Sequence, residues 1–305
     1  MTRGIGERPV LAGVLGALAI AFSAILVDLA GVSPAAAAVY RCAYALPLLG
    51  ALAWWEDRRH GARTWRERRP ALWAGVFFAA DLIAWHHAIE DVGAGLATVL
   101  GNTQVVIVPF LALAVLREPV PPRIRRALPL VCLGVLLVSG VLESGAYGAN
   151  PARGVLFGAL TGFTYAAFLL IQRHGSRDLR RPAGPLFDTT LVATLAAVAA
   201  DVVLGEGDLV PGWPSAGWLA LLALSSQALG WLLITGSLPR LPAALTSLTL
   251  TIQPVGSVIL GAVLLGQHPS ALQLAGVACI LGGLVSVAVR PRQRAAVRAR
   301  GAAGS

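Results

Sequence analysis

Ten apolar runs, each near the length that carries a helix across a bilayer, follow one another along 305 residues with little between them. They cover approximately 10–31, 34–54, 71–90, 94–117, 126–142, 153–173, 184–204, 215–236, 242–265 and 269–289. A hydrocarbon core of roughly 30 Å takes about 20 helical residues, and lipid admits only elements that satisfy their own backbone hydrogen bonds. The expected fold is therefore all-α, a polytopic membrane protein of ten transmembrane helices. Composition agrees, with 56% hydrophobic and 13% charged residues and a mean hydropathy of +0.73. A soluble domain carries roughly 25% charge. Pro34, Pro151, Pro214, Pro242 and Pro269 stand at or near run starts, where a missing N–H costs little. The first run is followed by Ala35–Ala38, as a cleaved leader would be, but its apolar stretch is too long and nine more follow; it is expected to be retained.

The net charge of +9 comes from 24 arginines without a lysine, and their placement matters more than their number. Twenty-two lie at 3, 8, 58–69, 117–126, 173–181, 240 and 290–300; Arg153 alone falls on the opposite side, and Arg41 lies within a run. That asymmetry is the positive-inside pattern and predicts cytoplasmic termini. It accounts for the basic clusters without nucleic acid, and 58–69 is also placed to meet anionic lipid heads. Trp54, Trp55, Trp65, Trp73, Trp213 and Trp218 are expected to anchor at the interfaces, whereas Trp85 and Trp231 lie too deep for that role. Cys42, Cys132 and Cys279 sit in apolar runs without metal or disulfide spacing.

The ten runs divide into two sets of five, expected as one unit over 1–150 and a second, with a basic tail, over 151–305. Leu96-Ala97-Thr98 through Gln104 to Leu116-Arg117-Glu118 aligns with Leu245-Thr246-Ser247 through Gln253 to Leu265-Gly266-Gln267. Asp81-x-x-x-Trp85 aligns with Gln227-x-x-x-Trp231, with three extra residues following in the second half. Phe22-Ser23 aligns likewise with Phe163-Thr164. Because five is odd, the two repeats cross the membrane in opposite senses. Inverted repeats of this kind occur in transporters whose substrate sits near the midplane at the repeat interface.

Over essentially its whole length the chain resembles the EamA family of the drug/metabolite transporter superfamily. The residues that carry the resemblance are Tyr40-Arg41-Cys42-x-Tyr44-Ala45-Leu46-Pro47, Trp85-x-x-Ala88-Ile89, Gly93-Ala94-Gly95-Leu96-Ala97 and Leu116-Arg117-Glu118-Pro119. In the second half they are Leu241-Pro242-Ala243-Ala244-Leu245-Thr246-Ser247, Gln253-Pro254-Val255 and Leu264-Leu265-Gly266-Gln267. The family's Gly-Glu-Arg-Pro after helices 4 and 9 is altered here to Arg-Glu-Pro and Gly-Gln-His-Pro. The resemblance implies export or facilitated movement of small metabolites, amino acids being the best-known class, and the expectation drawn from it is a secondary transporter of the bacterial inner membrane.

Polar residues at depth supply the candidate site. Asp81 lies ten residues past Ala71, near mid-membrane, where an acid costs about 2.5–3.5 kcal/mol on insertion scales. Trp85 shares its face at i+4, and a carboxylate beside an indole suits an amphipathic substrate that carries an amine. Gln227 and Trp231 hold the matching positions. Gln104 and Gln253 fall near the midplane, the first with Asn102 and Thr98, the second with Thr246, Ser247, Thr249 and Thr251. Tyr165, with Thr161 and Thr164, lies at similar depth. The candidate substrate-binding set is thus Asp81, Trp85, Asn102, Gln104, Tyr165, Gln227, Trp231 and Gln253.

Arg41, about 10 Å below the outer surface, is expected to pair with Asp81 or with Asp28 just above it, as a gate or as a brace. Burial favours neutral Asp81 and Arg41 favours its charged form, so the protonation state stays open. The plainer reading of any one polar residue is glue between helices. Gly154, Gly158 and Gly162 read as a close-packing stripe. His86 and His87 point about 100° apart and read as wall residues rather than a shared metal site. No phosphate-binding loop, metalloprotease helix or nucleophile elbow is present. The expectation is a non-enzyme without cofactor or metal, whose partners are a small-molecule substrate, the lipid bilayer and protons as candidate coupling ions. A passive facilitator and a non-transporting membrane partner are the competing classes.

Overall fold

The structure is a computed structural model that describes residues 9–175, 178, 180–205, 210–237 and 243–288, with backbone alone at 173–175, 204, 243–248, 251 and 288. The side chains of Thr246, Ser247 and Thr251 therefore lie outside the described residues. The described chain is all-helical: α1 (Pro9–Ala30), α2 (Pro34–His60), α3 (Trp65–Gly101), α4 (Gln104–Leu116), α5 (Pro122–Val138), α6 (Pro151–Gly175), α7 (Ala183–Leu204), α8 (Ser215–Ser237), α9 (Ala243–Leu265) and α10 (Ala271–Ala288). Six of these, α1, α2, α3, α6, α7 and α8, are individually long and apolar enough to span a membrane.

Packing follows the repeat. Exchanging the first five helices with the last five turns α3·α6 into α8·α1, α4·α6 into α9·α1, α3·α7 into α8·α2 and α4·α5 into α9·α10, and all eight pairs are in contact. The pairs α2·α7 and α5·α10, which map onto themselves, are also packed. The helix ends repeat as well. Arg117 and Gly266 both adopt the left-handed conformation (φ 57° and 61°), and the next amide donates back six residues in each case, Glu118 N to Ala112 O and Gln267 N to Gly261 O. These are matching C-terminal caps. Lipid gives helices no hydrophobic reason to associate, so close approach of small residues must hold them. A Cβ on Gly154 or Gly158 would lie 2.5 Å from Val92 Cγ1 or 2.6 Å from Leu100 Cβ. Gly134 and Gly276 similarly bring α5 and α10 together, each facing the other's carbonyl.

The helices differ from simple rods where it matters. The third run begins at Trp65 rather than 71, its first turn closed by a capping box between Thr64 and Glu67. It continues through Gly93, whose φ of 82° folds the chain back, so that 94–101 and α4 together make the fourth crossing. A side chain at Gly93 would strike Gln267, whose Oε1 accepts the Gly95 N–H. The fourth crossing is itself interrupted at Asn102-Thr103. Helix α1 is interrupted at Phe22 and α2 at Tyr44-Ala45, just before Pro47, whose missing N–H cannot continue the ladder. In α8, Ala223–Gly230 widens into a π-helix. Trp54, Trp55, Trp65, Trp73 and Trp213 are exposed, but Trp218 is only partly so and packs on the core.

Candidate translocation cavity

The interruptions converge. A cavity of about 60 Å³ lies among α1, α2, α3, α6, α8 and α9, beside the break in the fourth crossing. Helix α3 supplies one wall through Phe78, Asp81, Leu82 and Trp85, the i, i+3, i+4, i+7 set that a helix presents on one face. The ends of the broken crossing supply Thr98, Gly101 and Asn102, and α1 adds Ile20 and Ser23 around its own break. Helix α6 contributes Thr161 and Tyr165, α8 Trp231, α9 Gln253 and α2 Arg41.

Of the residues expected from the sequence, Asp81, Trp85, Asn102, Tyr165, Trp231 and Gln253 line this space together with Arg41. Three do not. Gln104 is buried in the turn after the break, away from the cavity lining. Gln227 is fully buried: its Oε1 accepts Arg41 Nε at 3.0 Å, and its Nε2 donates to Thr190 Oγ1 at 3.3 Å. Asp28 is exposed near the C-terminal end of α1. Among the described residues, Arg41 makes no ion pair with Asp28 or Asp81 within 4.0 Å; the neutral amide of Gln227 takes the place expected for an acid. The Arg41 guanidinium also sits 5.5 Å from the Trp85 ring centroid, within cation–π range.

Sequence reasoning missed Phe78, Leu82 and Ile20. The first two were legible as the same face of α3 as Asp81 and Trp85. Phe78 matters because it joins an aromatic cluster: it stacks on Phe168 at 4.7 Å and meets the edge of Trp231 at 6.0 Å, while Tyr165 lies 6.3 Å from Trp231.

The polar chemistry is concentrated. The Asp81 carboxylate accepts no hydrogen bond from a described residue, though it is only 6% exposed and lines the cavity. Asn102 lines the cavity and donates its Nδ2 at 2.8 Å to the Thr98 carbonyl, which also accepts the Asn102 backbone N–H at 3.1 Å. One acidic and one basic side chain thus share a chamber whose other walls mix aromatic and aliphatic residues with the neutral polar Ser23, Thr98, Asn102, Thr161 and Gln253.

Two buried carboxylates, each bound by arginine, tie the helices at either end. Toward one end Asp188, fully buried on α7, accepts from Arg63 Nη1 at 2.6 Å and from Arg68 Nη2 at 2.7 Å. Glu56 beside it accepts the Ala183 and Gly184 amides at 3.0 and 2.8 Å and so caps α7. Toward the other end, buried Asp91 is held by Arg153, Nη2 to Oδ1 at 2.6 Å. That contact accounts for the one arginine that breaks the charge asymmetry.

Comparison with known proteins agrees with this architecture. The family model described as the EamA-like transporter family matches residues 8–140 and again 152–289. No curated protein matches the sequence. A solved structure, titled only "Crystal structure of protein", shares the fold with a TM-score of 0.58 over 92% of this chain and 96% of that one, at 15% sequence identity. With ten helices in two five-helix repeats and the family match in each, the chain belongs to the EamA-like transporter family and is a multi-pass membrane protein.

Proposed function

We propose that this protein is a secondary transporter that exports small polar or amphipathic metabolites, amino acids or related compounds, across the bacterial inner membrane, with both termini in the cytoplasm. The observation that carries this reading is a deep carboxylate, Asp81, that lines a cavity and has no hydrogen-bonding partner in the described protein. An acid is kept at such depth for a substrate or an ion, because as mere glue it would be bonded to a neighbouring helix. The cavity is ringed by helix interruptions, as midplane transport sites are. Asp81, Trp85, Asn102, Tyr165, Trp231 and Gln253 form the substrate chamber, Arg41 and Gln227 act beside it, and protons are the coupling ion through Asp81.

A screen in proteoliposomes tests this. Radiolabelled amino acids, nucleosides and sugars are offered with and without an imposed pH gradient. At least one compound is expected to accumulate well above its external concentration when the gradient is present and to equilibrate when it is collapsed. Entry of a compound that never exceeds equilibrium makes the protein a passive facilitator. No entry of any compound above that into empty liposomes contradicts transport altogether.

A further inference from the structure

Three hydrogen-bond donors around the cavity have nothing to bond. Arg41 Nη1, Trp231 Nε1 and Thr161 Oγ1 each have almost no accessible surface and find no acceptor among the described residues. All three residues line the cavity and are at least nine-tenths buried, at 3%, 6% and 2% exposure. Native interiors satisfy nearly all their buried polar atoms, and clustered exceptions mark a function. Thr161 is conspicuous among the helical threonines: Thr98, Thr164, Thr194 and Thr235 each return their hydroxyl to the carbonyl four residues back, at 2.7–2.9 Å. Thr161 does not.

We infer that Arg41, Trp231 and Thr161 form a carboxylate subsite in the cavity, and that Gln227 is the positioning residue that turns Arg41 toward it. The inference rests on the transport reading above in taking this cavity as the substrate chamber. The three residues belong to α2, α8 and α6 and line the same cavity. Each can only donate or, for the hydroxyl, readily does so. A group that satisfies several such donors, one of them a guanidinium, is rich in acceptors and anionic, and a carboxylate is the matching shape. The Nε of Arg41 is already committed to Gln227, which Thr190 holds in turn. This two-residue brace fixes the plane of the guanidinium and leaves Nη1 for the ligand. The aromatic side of the same chamber, Trp85 with Asp81 one turn away, takes the opposite end of the molecule. A carboxylate held by Arg41 and an amine held by Asp81 are the two ends of a zwitterion, and both residues line this cavity.

Binding to the purified full-length protein in detergent tests the subsite with matched probes. For each of leucine, glutamine and phenylalanine the series comprises the free amino acid, its carboxamide, the decarboxylated amine and the N-acetyl acid, measured by calorimetry. In at least one series the zwitterion is expected to bind about 10- to 100-fold more tightly than its amide and its amine, the scale of one hydrogen bond to a charged group. Arg41→Met should bring the zwitterion down to the level of the amide. Thr161→Val, which removes one donor at nearly constant volume, and Trp231→Phe, which removes one donor and shortens the ring system, should cut the acid-to-amide ratio several-fold. Gln227→Leu should lower that ratio while leaving amide affinity in place, and Gln227→Glu, which keeps an acceptor for Nε but neutralises Arg41, should lower it too. A purely structural glutamine would weaken acid and amide alike. Should Arg41→Met fail to fold, the valine and phenylalanine variants decide. Amides or amines that bind as tightly as the zwitterions, or no binding in any series, overturn the subsite. If a nucleoside or sugar is nevertheless transported, the transport reading stands without it. If zwitterions bind with the expected discrimination and nothing is transported, the subsite stands and the transport reading falls.

Discussion

Proteoliposomes carrying Asp81→Asn are expected to lose all accumulation driven by a pH gradient while still equilibrating substrate slowly. Asparagine keeps the size of the side chain and its hydrogen-bonding capacity, but it cannot take up or release a proton. One proton exchanged for one substrate sustains at most about a tenfold concentration ratio per pH unit, since one unit is worth about 1.4 kcal/mol. Across two units the wild type can therefore approach a ratio of about 100, and the variant should stay at one. The substituted position is a narrow probe because the carboxylate has no described protein donor to lose. Folding should be close to unaffected, which a thermal midpoint in detergent checks. An asparagine variant that concentrates substrate as the wild type does removes Asp81 from coupling. A wild type indifferent to the gradient makes the protein a passive facilitator.

The largest effect on stability is expected at Asp188. Its carboxylate is fully buried and bound by two arginines, of which Arg63 has a side chain only 7% exposed while Arg68 is 40% exposed. Removing one partner of a buried pair typically costs about 3–5 kcal/mol, because the other charge is left uncompensated. Asp57 remains 3.6 Å from Arg63 Nε and holds part of that charge, so Asp188→Ala should fall near the lower end, at about 3 kcal/mol. The double variant Asp188→Ala/Arg63→Met should recover part of the loss, since it removes the stranded guanidinium. The exposed pair of Asp178 with Arg180, with side chains 36% and 72% exposed, is the control, and breaking it should cost no more than about 1 kcal/mol. Thermal midpoints in one detergent compare all three. Equal midpoints for Asp188→Ala and Arg180→Ala, which breaks only the exposed pair, would mean that the buried carboxylate does not hold α7 to α3.

Much of this architecture is legible in the sequence because lipid is an undemanding reader: a run of twenty apolar residues is a helix wherever it lies. The repeat was visible in Gln104 and Gln253, and the structure extends it to the paired left-handed caps at Arg117 and Gly266. The cavity wall on α3 was legible at Asp81 and Trp85 through helical spacing, and the same spacing reaches Phe78. Contacts between distant segments were not legible. Arg63 and Arg68 read locally as part of a basic loop near lipid heads, and nothing local tells that Asp188, more than a hundred residues on, takes both. Arg41 was expected beside an acid, because a charge calls for its opposite. The structure gives its Nε an amide and its face a ring, leaves Nη1 without an acceptor among the described residues, and places Asp81 on the same cavity beyond ion-pair distance. The breaks at Phe22, Tyr44 and Asn102 were hidden for a different reason. Hydropathy averages over a run and does not register one displaced hydrogen bond, although those displacements are what open the chamber.

The central claim is that the space bounded by Asp81, Asn102, Trp231 and Gln253 is a solvent-reached substrate chamber, and thiol labelling tests it most directly. Single cysteines at Asn102 and at Gln253, in a background with Cys42, Cys132 and Cys279 replaced, are exposed to a membrane-impermeant maleimide from each face, with and without a substrate found in the transport screen. A cysteine at Leu100, packed against Gly158 and 1% exposed, is the buried control. The account predicts that both cavity cysteines react from at least one face, that substrate slows both several-fold, and that the control stays unlabelled. Cavity cysteines as unreactive as Leu100→Cys from both faces, or reactive ones that substrate does not protect, would contradict it.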